Sequence, residues 1–237
     1  MTNPELEHVL EWAAKAPHAV DVEVLERITR QVSGSLRPVR ILPSEATIRL
    51  VLFLILVLVS IGGATCLGFG IDLWKPASPI LWVVAVLGPQ TATLTAAAMV
   101  PGSRKRFEPH VMLLSCTAAF AALFAVFTRD YRLDHFFSEG IVCLGLGALF
   151  AAAAGFLIWL VLRRGCVLDP PAAGISAGTL AGLAGFAFLE LHCPIQKAAH
   201  LMVWHTAVIA LSGLAGFRIG RFAQDLGTKR RAAEFMQ

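Results

Sequence analysis

Charge is what this sequence lacks most. Only 15% of its 237 residues are Asp, Glu, Lys or Arg, whereas 57% are hydrophobic, and the mean hydropathy is +0.69. A soluble domain carries about 25% charged residues, so the composition predicts a membrane protein. The net charge of +4 does not point to direct nucleic-acid binding, because excess Lys and Arg in a polytopic membrane protein usually marks cytoplasmic loops.

Motifs of familiar enzyme and metal sites are missing as well. The sequence contains no HExxH motif and no phosphate-binding loop, and none of its five cysteines belongs to a CxxC pair. Zinc-protease, nucleotide-binding, zinc-ribbon and thioredoxin-like sites are therefore excluded as interpretations. Glu190 falls at the end of an apolar segment, where a solvated structural role is expected. We predict that the protein is not an enzyme and requires no cofactor.

Six apolar segments follow a polar N-terminal stretch. Each is close to the ~20 residues that a helix needs to cross a hydrocarbon core of ~30 Å. Backbone groups in lipid must be satisfied internally, so the sequence predicts an all-α bundle of six transmembrane helices. The segments are 48–70, 79–100, 110–127, 140–162, 171–191 and 200–220.

Basic residues indicate the orientation of these segments. With the N-terminus inside, the cytoplasmic parts carry 16 Lys and Arg residues and the outer loops carry four. This asymmetry predicts a multi-pass membrane protein with both termini in the cytoplasm, and in a double-membraned bacterium the outer side is then the periplasm. The predicted parts are a cytoplasmic segment at 1–46, a transmembrane domain at 47–222 and a cytoplasmic tail at 223–237.

The N-terminal segment shows two short amphipathic patterns. Apolar residues recur there at helical spacing, before and after Pro17. Two such helices bury little surface alone, so they are either frayed, lie on the membrane surface or bind a partner protein. The candidate contacts for a partner are Leu6, Leu10, Val24, Leu25, Ile28 and Val32.

Small residues predict close helix packing. The fifth segment contains Gly174, Gly178 and Gly182, and the sixth contains Gly216 and Gly220, each in GxxxG spacing. Such spacing lets helix backbones approach, so we expect these two helices to pack together in the interior of the bundle.

Two cysteines fall at similar depth on the predicted outer side. Cys143 lies near the outer end of the fourth segment, and Cys193 follows the fifth. Cys66, at the outer end of the first, is a further candidate. A disulfide can form on this oxidising side if the Cα atoms come within about 7 Å. The alternative is that the cysteines are small apolar fillers.

Histidines flank Cys193 on both sides. His192 precedes it, and His200 and His205 follow at the start of the sixth segment. A thiolate with imidazoles can hold a thiophilic metal such as Zn, Cd or Cu(I). His200 and His205 are five residues apart, however, and in an α-helix they do not share a face. Interfacial histidines with ordinary hydrogen bonds are the alternative.

Transport is one alternative function. No charged residue lies near the middle of an apolar segment, and Gln90, beside Pro89, is the most polar residue at that depth. Transporters usually keep ionisable groups or interrupted helices at the midplane. A small-solute transporter would therefore depend on Gln90 to line a polar path.

The C-terminal third resembles a known family in several short motifs. These are Arg163-Arg164-Gly165, Pro170–Pro171, the Leu191-His192-Cys193-Pro194 stretch and Trp204-His205. The pattern is similar to that of the NrsF family, bacterial membrane regulators that inhibit an extracytoplasmic-function sigma factor. The resemblance implies six helices, a cytoplasmic N-terminal segment and two periplasmic cysteines, which fall on Cys143 and Cys193.

The resemblance also implies a function. The protein would be an anti-sigma factor that sequesters its sigma factor and releases it on a periplasmic redox or heavy-metal signal, as part of a stress response. We expect the two cysteines to sense that signal, and Cys193, His192, His200 and His205 to be possible metal ligands. A membrane thiol oxidoreductase is the second alternative.

Overall fold

The computed structural model describes most of the chain from residue 43 onward. The described residues are 23, 26, 27, 29 and 30, then 43–70, 79–99, 136–165, 167–195 and 197–235, and all secondary structure in them is helical. The chain divides into two compact units, Met1–Ile41 and Leu42–Gln237.

The described residues of the first unit belong to a helix. Two exposed ion pairs lie along it at i,i+4 spacing: Arg27 with Glu23 at 3.4 Å and Arg30 with Glu26 at 3.3 Å. Such exposed pairs contribute little to stability. The six candidate contacts for a partner protein lie outside the described residues.

Five main helices are described in the second unit. These are α1 (Glu45–Leu67), α2 (Pro79–Ala97), α3 (Phe136–Leu162), α4 (Pro170–His192) and α5 (Thr206–Phe235). A short α-helical turn, Ala198–His200, and a π-helical turn, Leu201–His205, lead directly into α5.

Four stretches of the described residues are long and apolar enough to cross a membrane. They are Glu45–Leu67, Phe136–Leu162, Pro170–His192 and Leu201–Thr228, which match the first, fourth, fifth and sixth predicted segments. Helix α2 falls on the second segment, and the third segment lies outside the described residues. The described part of the chain therefore supports a helical membrane protein with four candidate spans rather than six.

Helix α4 is the centre of the bundle. Of its apolar window 78% is buried, against 17–28% for the other three spans. Asp169 caps its start by accepting a hydrogen bond from the Ala172 N–H at 3.1 Å, and Pro170 and Pro171 occupy the first helical positions. At its end the Cys193 N–H donates to the Leu189 carbonyl at 2.7 Å. These two ends fix where the core helix begins and stops.

Glycines bring α5 against α4 as the spacing predicts. A Cβ on Gly174 would overlap the carbonyl of Gly216, and a Cβ on Gly178 would overlap the carbonyl of Ser212. The predicted close packing is thus confirmed. In the described part of the chain α5 also meets α3, where Gly147 lies against Val208, but only 17% of its window is buried, so the prediction that both helices are interior is wrong for α5.

Helices α1 and α3 cover other faces of α4. The Ser60 hydroxyl of α1 donates to the Ala184 carbonyl of α4 at 2.9 Å, and Gly185 lies against the Gly147 carbonyl of α3. The rings of Phe150 and Phe188 stack with centroids 3.9 Å apart. This packing gathers the last residues of α1 and α4 and the first residues of α3 and α5 at one end of the bundle.

Candidate functional site

Two thiols and two imidazoles meet at that end. The Sγ atoms of Cys143 and Cys193 are 3.6 Å apart, and Cys193 Sγ is 3.7 Å from His200 Nε2. With His205 added, the ligand atoms of all four residues lie within 4.8 Å of one another, and all four side chains are buried. We call these four residues the Cys2His2 cluster.

The end of α1 holds the end of α4 in place beside this cluster. The Gly70 N–H donates to the Leu191 carbonyl at 3.0 Å. His192 Nδ1 lies 2.7 Å from the Gly68 carbonyl, which can accept a hydrogen bond from it. Gly68 has φ = 97°, a conformation that glycine adopts without a steric penalty. These two contacts anchor the C-terminal end of α4, and Cys193 follows directly after that end.

The π turn explains how His200 and His205 come together. The Thr206 N–H donates to the Leu201 carbonyl, five residues earlier, so this turn is wider than an α-helical one. The rings of His200 and His205 lie 5.2 Å apart as a result. The prediction that residues five apart lie on different faces is therefore wrong here, because it assumed α-helical geometry throughout.

Glu190 is buried behind the cluster. Its side chain is 2% exposed, and its Oε1 accepts a hydrogen bond from His205 Nδ1 at 2.9 Å. Among the described residues, Glu190 Oε2 and His205 Nε2 have no hydrogen-bond partner. The expectation of a solvated Glu190 is wrong, since the packing of α4 against its neighbours carries this helix end into the interior.

Burial changes the acid–base behaviour of the two cluster residues that lie between α4 and the π turn. Burial, together with the nearby His205, lowers the pKa of His200 to about 4, so the His200 imidazole is neutral at pH 7. The hydrogen bond with Cys143, together with burial, raises the pKa of the Cys193 thiol. A neutral imidazole is the form that binds metals.

Three aromatic rings pack together where α3 meets the π turn. Phe136 and Phe137 of α3 lie with ring centroids 5.4 and 6.0 Å from that of Trp204 in the π turn. A Cβ on Gly140 would overlap the Trp204 indole, so this glycine leaves the space that the ring occupies. These contacts join the first turn of α3 to the π turn that carries His205.

Several predicted residues lie away from the cluster. His192 is next to Cys193 but bonds to Gly68, and it is not among the four clustered residues. Cys66 is exposed and also lies outside the cluster. Gln90 is exposed on α2 within the described structure. The other two cysteines, Cys116 and Cys166, lie outside the described residues.

Helix α4 contains a sequence motif that is also found in hydrolases. Residues 174–178 read GxSxG, the spacing of a hydrolase nucleophile elbow. An elbow is a sharp turn between a strand and a helix, whereas this stretch lies inside α4. The Ser176 hydroxyl donates to the Ala172 carbonyl at 2.9 Å, one helical turn earlier. The glycines of this motif serve helix packing.

The cluster geometry permits two kinds of chemistry. The two thiols are in contact, and a disulfide would require their sulfurs to move from 3.6 Å to about 2.05 Å. Alternatively, two sulfurs and two imidazole nitrogens can hold a thiophilic metal ion. Sequence spacing identified Cys193, His200 and His205 as possible ligands, and the structure adds Cys143.

Comparison with known proteins gives one match. The family described as NrsF, negative regulator of sigma F, matches residues 32–223. No curated protein and no solved structure matches the chain. The family match covers three of the four candidate spans, most of the fourth and the whole Cys2His2 cluster, and it confirms the resemblance seen in the short motifs. The chain therefore belongs to the NrsF family of negative regulators of sigma F.

Proposed function

We propose that this protein is a six-helix anti-sigma factor of the bacterial inner membrane, with both termini in the cytoplasm and the Cys2His2 cluster at the periplasmic end. It sequesters an extracytoplasmic-function sigma factor through residues 1–46 and acts by binding rather than catalysis. The observation that carries this function is the contact between Cys143 and Cys193, 3.6 Å apart and buried, in a chain of a sigma-regulator family.

The two cysteines sense the signal, which is either oxidation or a thiophilic metal. In oxidation, each thiol gives up one proton and one electron, and the sulfurs form one bond. A peroxide of the class ROOH takes up the two electrons and two protons and becomes an alcohol and water. Contact between the sulfurs favours this step, because little backbone movement is needed to reach bonding distance.

The signal reaches the cytoplasmic side through α4 and α5. Cys193 ends α4, and His205 ends the π turn that leads into α5. The backbones of α4 and α5 touch at their glycines. Because this contact is stiff, a shift of either helix at the cluster is transmitted towards the opposite end of the bundle. A 100-fold change in sigma-factor affinity needs about 2.7 kcal/mol of difference between the two packings.

Affinity purification tests the regulatory function. The full-length protein, carrying a tag, is solubilised in mild detergent from its own host, beside a form that lacks residues 1–46. Mass spectrometry should find a sigma factor with the full-length form alone. The function is refuted if no sigma factor accompanies either form in unstressed cells.

Release of the sigma factor tests the sensing step. The immobilised complex is treated with a hydroperoxide or with Cd²⁺, and the released sigma factor is measured. Release should be lost in Cys143→Ser and in Cys193→Ser, and retained in the matched control Cys66→Ser, because Cys66 is exposed and outside the cluster. Unchanged release in both cluster variants would contradict cysteine sensing. In the described part of the chain Gln90 is exposed, which does not favour a transporter lined by this residue. The contact between Cys143 and Cys193 would also suit a thiol oxidoreductase.

A further inference from the structure

We infer that Cys143, Cys193, His200 and His205 together form a binding site for one divalent thiophilic metal ion, with Glu190 orienting the His205 ligand. This inference deepens the proposed function by naming the full ligand set of the metal signal, and its biological meaning rests on that function. The ligand set joins residues from α3, from the residue after α4 and from the two turns before α5.

The distances fit a single tetrahedral ion. Zn–S bonds of about 2.3 Å and Zn–N bonds of about 2.0 Å in tetrahedral geometry hold two sulfurs about 3.8 Å apart and a sulfur and a nitrogen about 3.5 Å apart. The observed separations are 3.6 Å between the sulfurs and 3.7 Å between Cys193 Sγ and His200 Nε2. These two separations match, and the ligand atoms of all four residues lie within 4.8 Å of one another, so side-chain rotation can bring them around one ion.

The second nitrogen of His205 faces the Cys193 thiol. Its Nδ1 is already bonded to Glu190, and its Nε2 is buried, lies beside the Cys193 thiol and makes no hydrogen bond of normal geometry. A buried polar atom with such poor hydrogen bonding is costly, and a metal bond would satisfy it. Histidine ligands commonly donate their second ring N–H to a carboxylate, which fixes the ring and its tautomer. Glu190 supplies this carboxylate.

Charge favours a divalent ion over a monovalent one. Cysteine binds metals as the thiolate, so two cysteines contribute two negative charges and two neutral histidines contribute none. A divalent ion makes this inner shell neutral, whereas Cu(I) would leave one net negative charge beside the buried Glu190 carboxylate. Tetrahedral S2N2 coordination is typical of Zn²⁺, and soft thiolates also suit its congener Cd²⁺.

Co²⁺ is a suitable probe because it replaces Zn²⁺ and is visible in absorption spectra. The reduced, full-length protein in detergent is treated with a chelator, dialysed and titrated with Co²⁺. We expect one equivalent to give the d–d bands of four-coordinate cobalt and a sulfur-to-cobalt charge-transfer band, and one equivalent of Zn²⁺ or Cd²⁺ to remove both. The inference is overturned if the wild-type protein gives neither band under conditions in which it stays folded by circular dichroism.

Variants assign the ligands. Cys143→Ser, Cys193→Ser, His200→Ala and His205→Ala should each change or abolish the tetrahedral spectrum. Cys66→Ser is the matched control: this cysteine is exposed and lies outside the cluster, so the spectrum and the affinity should not change. His192→Ala removes the bond to Gly68 but no ligand, so it should keep the tetrahedral spectrum even where it weakens binding. If His192→Ala abolishes the spectrum as His205→Ala does, the ligand set is wrong.

Glu190→Gln separates an orienting role from ligation. This variant should keep the tetrahedral spectrum and bind Zn²⁺ roughly 10–100-fold more weakly in a chelator competition, which is the usual effect of losing an outer carboxylate partner. Unchanged affinity would refute the role of Glu190. Failure of the metal site and failure of the proposed function are distinguishable, because co-purification of the sigma factor is scored separately on the same preparations.

Discussion

The buried contact between Glu190 and His205 predicts a large energetic coupling. The two side chains are 2% and 0% exposed and meet at 2.9 Å. His205→Leu leaves the Glu190 carboxylate buried without this partner, and removing one member of such a pair costs about 3–5 kcal/mol. Glu190→Leu leaves a histidine that can remain neutral, so we expect a smaller loss of about 1–3 kcal/mol from the missing hydrogen bond.

The double variant should recover most of this loss. With both residues replaced by leucine, neither polar group is left unpaired, and apolar replacement of a buried pair is often neutral. We expect Glu190→Leu/His205→Leu to be more stable than His205→Leu alone, with a coupling of at least ~2 kcal/mol in the cycle. The free energy of unfolding is measured by circular dichroism in mixed micelles of rising SDS fraction, with a chelator present. Additivity of the two single effects within about 0.5 kcal/mol would refute the reasoning.

Three further predictions concern packing, capping and access. Gly178→Ala should lower the unfolding free energy by about 1–3 kcal/mol, because its Cβ meets the neighbouring backbone. The control Gly145→Ala has open space around it, so it should be neutral or slightly stabilising in the same SDS titration. Asp169→Ala should cost about 1 kcal/mol in that assay by removing the cap of α4, and Asp169→Asn should restore most of it. A maleimide should label the exposed Cys66 within minutes and the buried Cys193 far more slowly, as peptide mapping will report; equal rates would contradict the burial of the cluster.

Much of the architecture could be predicted because it depends on local patterns. Apolar segments of suitable length predicted the helices now seen as α1, α3, α4 and α5, and the glycine spacing in 174–182 predicted the contact with α5. The proximity of Cys143 and Cys193 could also be predicted, since both fall at the same end of consecutive apolar segments, and their sulfurs lie 3.6 Å apart.

The details of the site depend on longer-range packing. The burial of Glu190 follows from α4 being covered by several helices at once, which no single segment reveals. The meeting of His200 with His205 depends on the π turn, whose wider spacing has no signal in hydrophobic periodicity. Sequence spacing therefore identified Cys193, His200 and His205 as candidate ligands, but it also included His192, omitted Cys143 and did not predict the geometry of the cluster.

The π turn before the last helix contains one residue more than an α-helical turn would contain. Converting Leu201–His205 to regular α-helix would rotate everything before it by about 100° and shift it along the axis by about 1.5 Å. The glycine contacts hold α5 in register against α4. The residues that would move are therefore His200 and those between it and Cys193. A change in helical pitch can thus separate one imidazole from the thiols while the crossing of the two helices stays unchanged.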